Sequence, residues 1–306
     1  MRIHQERATF RTARPFSAVV AVLTAVATVA AAPQVVSDWL PVGSSQRGTI
    51  SGMALVERTA DSLQFLIVHD NKQPGEHRLA LITIGSVFRY TPVPWPAGYA
   101  LPVDLEAIAV VPGTSLLAVV TSGGTVSLLR RSGDRVELRG AFTLPRRPGI
   151  PAFEAFDVQM VGGVRLAVWG QRGAGTERGR LYWGSMQLDP PAIVDVSEAE
   201  IIVPYPPQDD PNTRHISDVK IDPVDGEVWI TSASDPGDSG PFESAVYRLG
   251  RMVTSPDRTA RFEQRTSLMP LHSVNRKLEA LELIGDRLAL ATDDEHGGAA
   301  IAVYRR

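Results

Sequence analysis

The chain has 306 residues, no cysteine, 31 basic and 34 acidic side chains, and a formal net charge of −3. That balance excludes a broad basic surface for nucleic acid, and the missing cysteine excludes disulfides and thiolate chemistry. Three lysines stand beside 28 arginines, a bias ascribed to genome composition.

Residues 1–32 read as a segment apart. Arg2, Arg7, Arg11 and Arg14 precede an uncharged, Ala- and Val-rich run from Phe16 to Ala32, the layout of a secretory signal. Ala30-Ala31-Ala32 supplies small residues for cleavage; kept as an anchor, the run of about 17 apolar residues stands at the short limit of a membrane span. Removing the segment takes away four arginines and Glu6 and moves the charge from −3 to −6. The expectation is an exported protein, periplasmic or extracellular, touching a membrane only through this segment if it is uncleaved, with residues 33–306 as its one domain.

A six-residue phrase then returns five times. It stands at Ile50-Ser51-Gly52-Met53-Ala54-Leu55, Leu105-Glu106-Ala107-Ile108-Ala109-Val110, Phe153-Glu154-Ala155-Phe156-Asp157-Val158, Ile216-Ser217-Asp218-Val219-Lys220-Ile221 and Leu278-Glu279-Ala280-Leu281-Glu282-Leu283. The starts lie 55, 48, 63 and 62 residues apart, and a period near 50 is that of a propeller blade of four antiparallel strands. Second strands follow at Phe65 to His69, Leu116 to Val120, Leu166 to Trp169, Val228 to Thr231 and Leu288 to Ala291, set off by breakers such as Pro112-Gly113, Asp225-Gly226 and Gly285-Asp286. Third strands fall at Leu79 to Ile84, Thr125 to Arg130, Arg180 to Leu188, Ala245 to Leu249 and Ala300 to Tyr304. Outer strands are less regular, the last at Arg261 to Thr266.

The final blade has room for three strands only. Val35 to Val42, just ahead of the first phrase, is the natural donor of the fourth, and its pairing there would close the ring and remove an open sheet edge. The sequence thus predicts an all-β, single-domain β-propeller of five blades closed by an N-terminal strand, with six as the alternative because the two longest intervals could hold extra strands.

First and second strands run antiparallel, so the start of one and the end of the other share a face. Glu106, Glu154 and Glu279 therefore meet Asp70 and Lys72, Gln171 and Arg172, and Asp293, Asp294 and Glu295 on one side of the ring. All five histidines of the mature chain, His69, His77, His215, His272 and His296, fall there too, the middle two ahead of first strands. Arg146, Arg147, Arg214, Arg276 and Lys277 lie in inter-blade loops of this face. Carboxylates beside cations suit a hard metal ion with an anionic ligand. Three converging carboxylates repel one another, and an ion or a nearby arginine relieves them. The plain alternative is that each glutamate caps backbone amides of the next blade. No serine-nucleophile elbow, phosphate loop, dinucleotide fingerprint or paired-histidine metal motif occurs.

On Ile50 to Leu55, Phe65 to Asp70 and the Leu-Glu-Ala-Ile phrases, residues 45–306 resemble the exported bacterial propellers grouped as phytase-like, some labelled esterase-like. A glutamate opening an inner strand also resembles the gluconolactonase and senescence-marker propellers. That resemblance implies a divalent ion in the channel, held by Glu106, Glu154 or Glu279.

The resulting expectation is a divalent cation, calcium first, held by Glu106, Glu154, Glu279, Asp70 and Asp293. Lys72, Arg172, Arg214 and Lys277 would hold a small anionic ligand such as a phosphoester, and His215 or His272 would protonate its leaving group. Two alternatives stand beside it: a non-catalytic scaffold binding an envelope protein or glycan through the loop bearing Trp95, and a lactonase-type sugar-acid hydrolase.

Overall fold

The computed structural model describes residues 34–35, 38–43, 48–145, 152–174, 176–204 and 211–306; the segment 1–32 and the arginines Arg146 and Arg147 lie outside them. Two short strands, β1 (Gln34–Val35) and β2 (Leu40–Gly43), precede the first phrase. Blade one is β3 (Gly52–Arg58), β4 (Leu63–Val68), β5 (Leu79–Ile84) and β6 (Arg89–Val93). Blade two is β7 (Leu105–Val110), β8 (Leu116–Thr121), β9 (Thr125–Ser132) and β10 (Arg135–Thr143). Blade three is β11 (Phe153–Val161), β12 (Val164–Gln171), β13 (Gly179–Leu188) and β14 (Pro191–Ile201). Blade four is β15 (Thr213–Ile221), β16 (Glu227–Ser234), β17 (Glu243–Thr254) and β18 (Ala260–Val274). The last blade is β19 (Leu278–Ile284), β20 (Arg287–Thr292) and β21 (Ala299–Arg305), completed by β2 on its outer edge.

Five antiparallel sheets therefore form a five-bladed propeller. Its first strands β3, β7, β11, β15 and β19 neighbour one another in cyclic order, β19 returning to β3, and so line a central channel. Five apolar cores fill the gaps between successive blades, the last lying between blades five and one. Each sheet is thus buried on both faces, which is why its strands read as continuous apolar runs. In β4, for example, Phe65 and Ile67 enter the core shared with blade five, while Leu66 and Val68 enter the core shared with blade two.

Closure follows the predicted plan with one change. Leu40 pairs with Ile301 and Gly43 with Ala299, antiparallel, so the chain's start covers the edge that β21 would expose. Val35, expected in the same donor strand, instead pairs in parallel with His272 on the outer edge of blade four. The long intervals that left six blades open are taken up by long strands: β13 and β14 run 10 and 11 residues, and β17 and β18 run 12 and 15.

Candidate functional site

The three phrase glutamates owe their direction to a backbone irregularity that recurs with them. In β7 Leu105 pairs with Thr121 and Ala107 with Val120, leaving Glu106 unpaired. In β11 and β19 the same step skips Glu154 and Glu279. Each is a β-bulge, one extra residue opposite a regular partner strand, a device that re-aims a side chain. The packing shows what it achieves. Leu105 and Ile108 enter the core toward blade one and Ala107 the core toward blade three. Strict alternation would force Glu106 into one of those apolar cores; the bulge leaves it over the channel. Blade one abuts this point through bare backbone, since a Cβ on Gly52 would stand 2.9 Å from Ala107 Cα and from the Glu106 carbonyl oxygen.

At the channel mouth lies a cavity of about 230 Å³. Of the residues singled out in the sequence, Asp70, Lys72, Glu106, Glu154, Arg172, Lys277, Glu279 and Asp293 line it. Glu295, expected on this face beside Asp293, lines it too, as does Ser51 at the phrase position of blade one; Asp104 and Asp235 also line it and were not foreseen as site residues. Two of these acids, Asp104 and Glu295, hold left-handed backbone at φ 66 and 51, a conformation costing about 1–3 kcal/mol that surrounding structure must enforce. Among the described residues the lining carries eight carboxyl groups against three cations. Lys72, Lys277 and a third, deeper residue, Lys220, are the only lysines in the chain. In an arginine-rich sequence, lysine is kept where a compact ammonium must fit among several oxygens.

Lys277 is the resident cation. Its side chain is 8% exposed, and its Nζ lies 2.6 Å from Glu295 Oε1, 3.3 Å from Asp235 Oδ2, 3.4 Å from Glu279 Oε1 and 3.9 Å from Asp293 Oδ2. Burial opposes its charge, but the field of Glu279, Asp293 and Asp235 and the hydrogen bond to Glu295 outweigh it and raise its pKa. Its backbone is fixed as well: the Lys277 N–H donates to Asp294 Oδ1 at 2.9 Å, and the Asp293 N–H donates to the Lys277 carbonyl at 3.0 Å.

One lysine does not neutralise the ring. Burial pushes Glu279 up to about 7 in spite of Lys277, and it raises Asp293 well above the carboxylate range in the same way. Glu154 is raised by burial and partly drawn back by Arg172, whose Nη1 lies 3.4 Å from Glu154 Oε1. Lys72 Nζ lies 2.9 Å from Asp104 Oδ1, which also accepts, on Oδ2, a 2.5 Å hydrogen bond from the Ser122 hydroxyl. Burial raises Asp70, with Lys72 opposing. Glu106 is raised well above its ordinary range by burial and then by Glu154, Asp104, Asp70 and Glu279. Among the described residues neither Glu106 nor Asp70 has a hydrogen bond or ion pair from its carboxyl group.

The remaining predicted residues stand elsewhere. Arg214 is within β15, near enough to act electrostatically on Glu154 but not lining the cavity. His215, expected in a loop before the first strand, is inside β15 and buried; its Nδ1 accepts from the Val203 N–H at 3.5 Å, and its Cβ side abuts Gly179 of blade three. His272, also expected in a loop, is in the outer strand β18. Neither histidine lines the cavity, so among the described residues the titratable groups there are its carboxyl groups and the Lys72 and Lys277 ammonium groups. Trp95 packs against the core between blades one and two. His69, buried between the Thr49 carbonyl and the Tyr90 hydroxyl, has its pKa lowered to about 4 by burial.

Deeper in the channel is a second polar cluster that the sequence reading did not single out. The Asp157 carboxylate of β11 accepts from the Ile221 N–H of β15 at 2.8 Å, and Asp218 of β15 accepts from the Leu281 N–H of β19 at 2.8 Å. Glu282 of β19 accepts from the Leu55 backbone of β3, and Lys220 reaches across to the Ile108 carbonyl of β7 at 3.1 Å. The amide capping considered for the phrase glutamates is thus the work of this lower ring, which ties β11 to β15, β15 to β19 and β19 to β3, while Lys220 links β15 to β7 across the channel. Burial holds Asp218 at about 7 and Glu282 at about 8, with Lys220 opposing in both.

As a metal centre the mouth is incomplete as it stands. Carboxylate oxygen is the right donor for a hard cation. Among the described residues, however, no three Asp, Glu or His groups are gathered so as to hold one ion, and the Lys277 ammonium occupies the ground between four of the carboxylates.

No family model and no curated protein matches the chain. Among solved structures it is similar to a thermostable family-43 glycoside hydrolase, at 10% identity and a TM-score of 0.48, over 84% of this chain and 89% of that one. It is also similar to a structure described with the GH130 family of mannoside phosphorylases, which contains glycoside hydrolases that target β-1,2-mannosidic linkages in Candida mannan. That likeness has 12% identity and a TM-score of 0.41, over 84% of each chain. At such identities these likenesses concern the course of the chain, not the chemistry of a site.

Proposed function

We propose that the channel mouth is a hydrolase site worked by paired carboxyl groups, acting on a small, uncharged, hydroxyl-bearing substrate such as a glycoside or a sugar lactone. The observation that carries this reading is the unequal partnering of Glu106 and Glu154, which line one cavity from adjacent blades. Glu154 faces Arg172 and is favoured as the carboxylate; Glu106 has no ion pair among the described residues, is raised by burial and by four neighbouring acids with Lys72 acting on it only through its field, and is favoured as the carboxylic acid. Two carboxyl groups pushed apart in this way can divide acid and base roles. Glu106 gives its proton to the leaving oxygen as the C–O bond breaks. Glu154 takes a proton from the attacking water and then releases it to solvent, from which Glu106 is reprotonated. Among the described residues eight acids against three cations repel an anion, so a phosphoester or a sugar acid is a poorer substrate than its uncharged relative unless a cation enters with it.

The surplus charge favours a second reading, in which an entering divalent cation, calcium in the first instance, draws together Asp70, Glu106 and Glu154, which are not gathered to hold one ion without it. Bound there, it would supply electrostatic stabilisation for an anionic ligand held by Lys72 and Arg172, the phosphoester chemistry of the phytase-like resemblance.

One experiment separates the two: turnover of a panel of glycosides, sugar lactones and phosphate monoesters, with EDTA or with millimolar calcium. The paired-carboxyl reading predicts EDTA-resistant turnover of an uncharged substrate, falling at least a hundredfold in Glu106→Gln. Turnover confined to phosphoesters and dependent on calcium would replace it with the second reading. Hydrolysis unaffected by Glu106→Gln would overturn both.

A further inference from the structure

Beside the cavity, on the same face, a groove of about 660 Å³ runs between blades four and five. Three connections contribute side chains to both. After β16, Asp235 faces the cavity while Asp238 and Phe242 line the groove. Before β19, Lys277 faces the cavity and Arg276 the groove; after β20, Asp293 and Glu295 face the cavity and Asp294 and His296 the groove.

The partition between the two is rigid. Asp294 is 4% exposed and accepts from the Lys277 N–H, from the Thr292 hydroxyl at 2.9 Å and from the Arg276 guanidinium. Arg276 is in turn held over the Trp39 ring, 5.7 Å from its centroid. Asn275 and Glu295 keep left-handed backbone at φ 60 and 51, so the turns on either side of the partition are held in a demanding conformation. At the outer lip His296 Nε2 and Asp238 Oδ2 stand 3.9 Å apart with side chains 62% and 63% exposed. That exposure leaves both polar groups open to a ligand, and screening by water makes their pairing worth little to the fold.

Size gives the groove its meaning. Ligand pockets commonly measure about 300–1,000 Å³; the cavity alone falls short of that range, while the groove, alone or together with the cavity, lies within it.

We infer that the groove is a second subsite, which receives the part of the substrate beyond the bond broken in the cavity. The inference rests on the paired-carboxyl reading. Its chemistry is that of a second hydroxyl-bearing ring: Arg276 donates, Asp238 accepts, His296 can do either, and Pro241 and Phe242 give one apolar wall.

The test is a binding titration by saturation-transfer NMR. The full chain and its Asp238→Ala/His296→Ala double variant are titrated with maltose, cellobiose and mannobiose, each against the matching methyl monoglycoside. The wild type should bind one disaccharide at least tenfold more tightly than its monoglycoside. In the double variant that preference should fall below threefold, with monoglycoside affinity unchanged. A preference retained in the double variant, equal weakening of both probes, or no two-ring preference in the wild type would overturn the subsite. Disaccharide preference without hydrolysis of any glycoside would sink the paired-carboxyl reading and leave the subsite as a binding site. Hydrolysis of monoglycosides without two-ring preference would do the reverse.

Discussion

Replacing Lys277 with methionine keeps most of the stem's volume and deletes the one charge shared by Asp235, Glu279, Asp293 and Glu295 at 2.6–3.9 Å. Breaking a buried ion pair from one side costs about 3–5 kcal/mol, because the partner is left charged and unpaired. Here the partners can escape by taking up protons: burial already places Glu279 at about 7 and Asp293 well above its usual range, and without the ammonium both rise further. The loss therefore depends on pH. At pH 8 the orphaned acids must be ionised or must bind protons against the bulk concentration, and about 3 kcal/mol should go. At pH 5.5 Glu279 and Asp293 are neutral and the loss should shrink to about 1 kcal/mol. Urea unfolding followed by tryptophan fluorescence at the two pH values reads this directly; at about 2–4 °C per kcal/mol, the pH 8 loss equals a fall in Tm of about 6–12 °C. A loss below about 1 kcal/mol at pH 8, or one equal at both pH values, would refute Lys277 as the charge that holds the mouth together.

Two further outcomes follow from the channel. Asp218 and Glu282 have folded-state pKa values of about 7 and about 8, above their unfolded values near 4. The stability they confer is fully present below pH 4 and is lost as pH rises through 7 and 8. His69 acts in the opposite sense, with its pKa lowered to about 4, but only below about pH 6.5. From pH 6.5 to 8 the urea midpoint of the wild type should therefore fall, by as much as about 1.4 kcal/mol per pH unit for each engaged carboxyl; a flat or rising midpoint contradicts the buried ring. Gly52→Ala places a methyl 2.9 Å from the β7 backbone at Ala107 and Glu106. It should cost about 1–3 kcal/mol of stability and lower turnover by displacing the Glu106 bulge. Full activity with unchanged stability would show that blade one does not fix that bulge.

The architecture was legible because it rests on period and connectivity. A phrase returning about every 50 residues set the blade count, and the short last blade pointed to an N-terminal strand, seen as Leu40–Gly43 beside β21. Antiparallel pairing also placed strand-one starts and strand-two ends on one face, which is why Asp70, Arg172 and Asp293 share a cavity with the three glutamates. What escaped depends on register and packing. Nothing in Leu-Glu-Ala announces a bulge, because the skipped partner belongs to the next strand. The histidines were judged by position near strand ends, and a shift of a few residues in the strand boundary put His215 into an inter-blade interface. The lysines did carry a signal: all three stand in the channel among carboxylates, a placement that composition alone cannot reveal but that their rarity among 28 arginines could have suggested.

The central claim is that Glu106 keeps its proton while Glu154, one blade away, does not. Infrared difference spectra of wild type against Glu106→Gln and against Glu154→Gln, at neutral pH and in EDTA, measure it most directly. The account predicts that Glu106→Gln removes a protonated-carboxyl band and Glu154→Gln a carboxylate band. A carboxylate band lost in both would mean that Glu106 is ionised without a metal, and the division of acid and base roles between the two residues would fall.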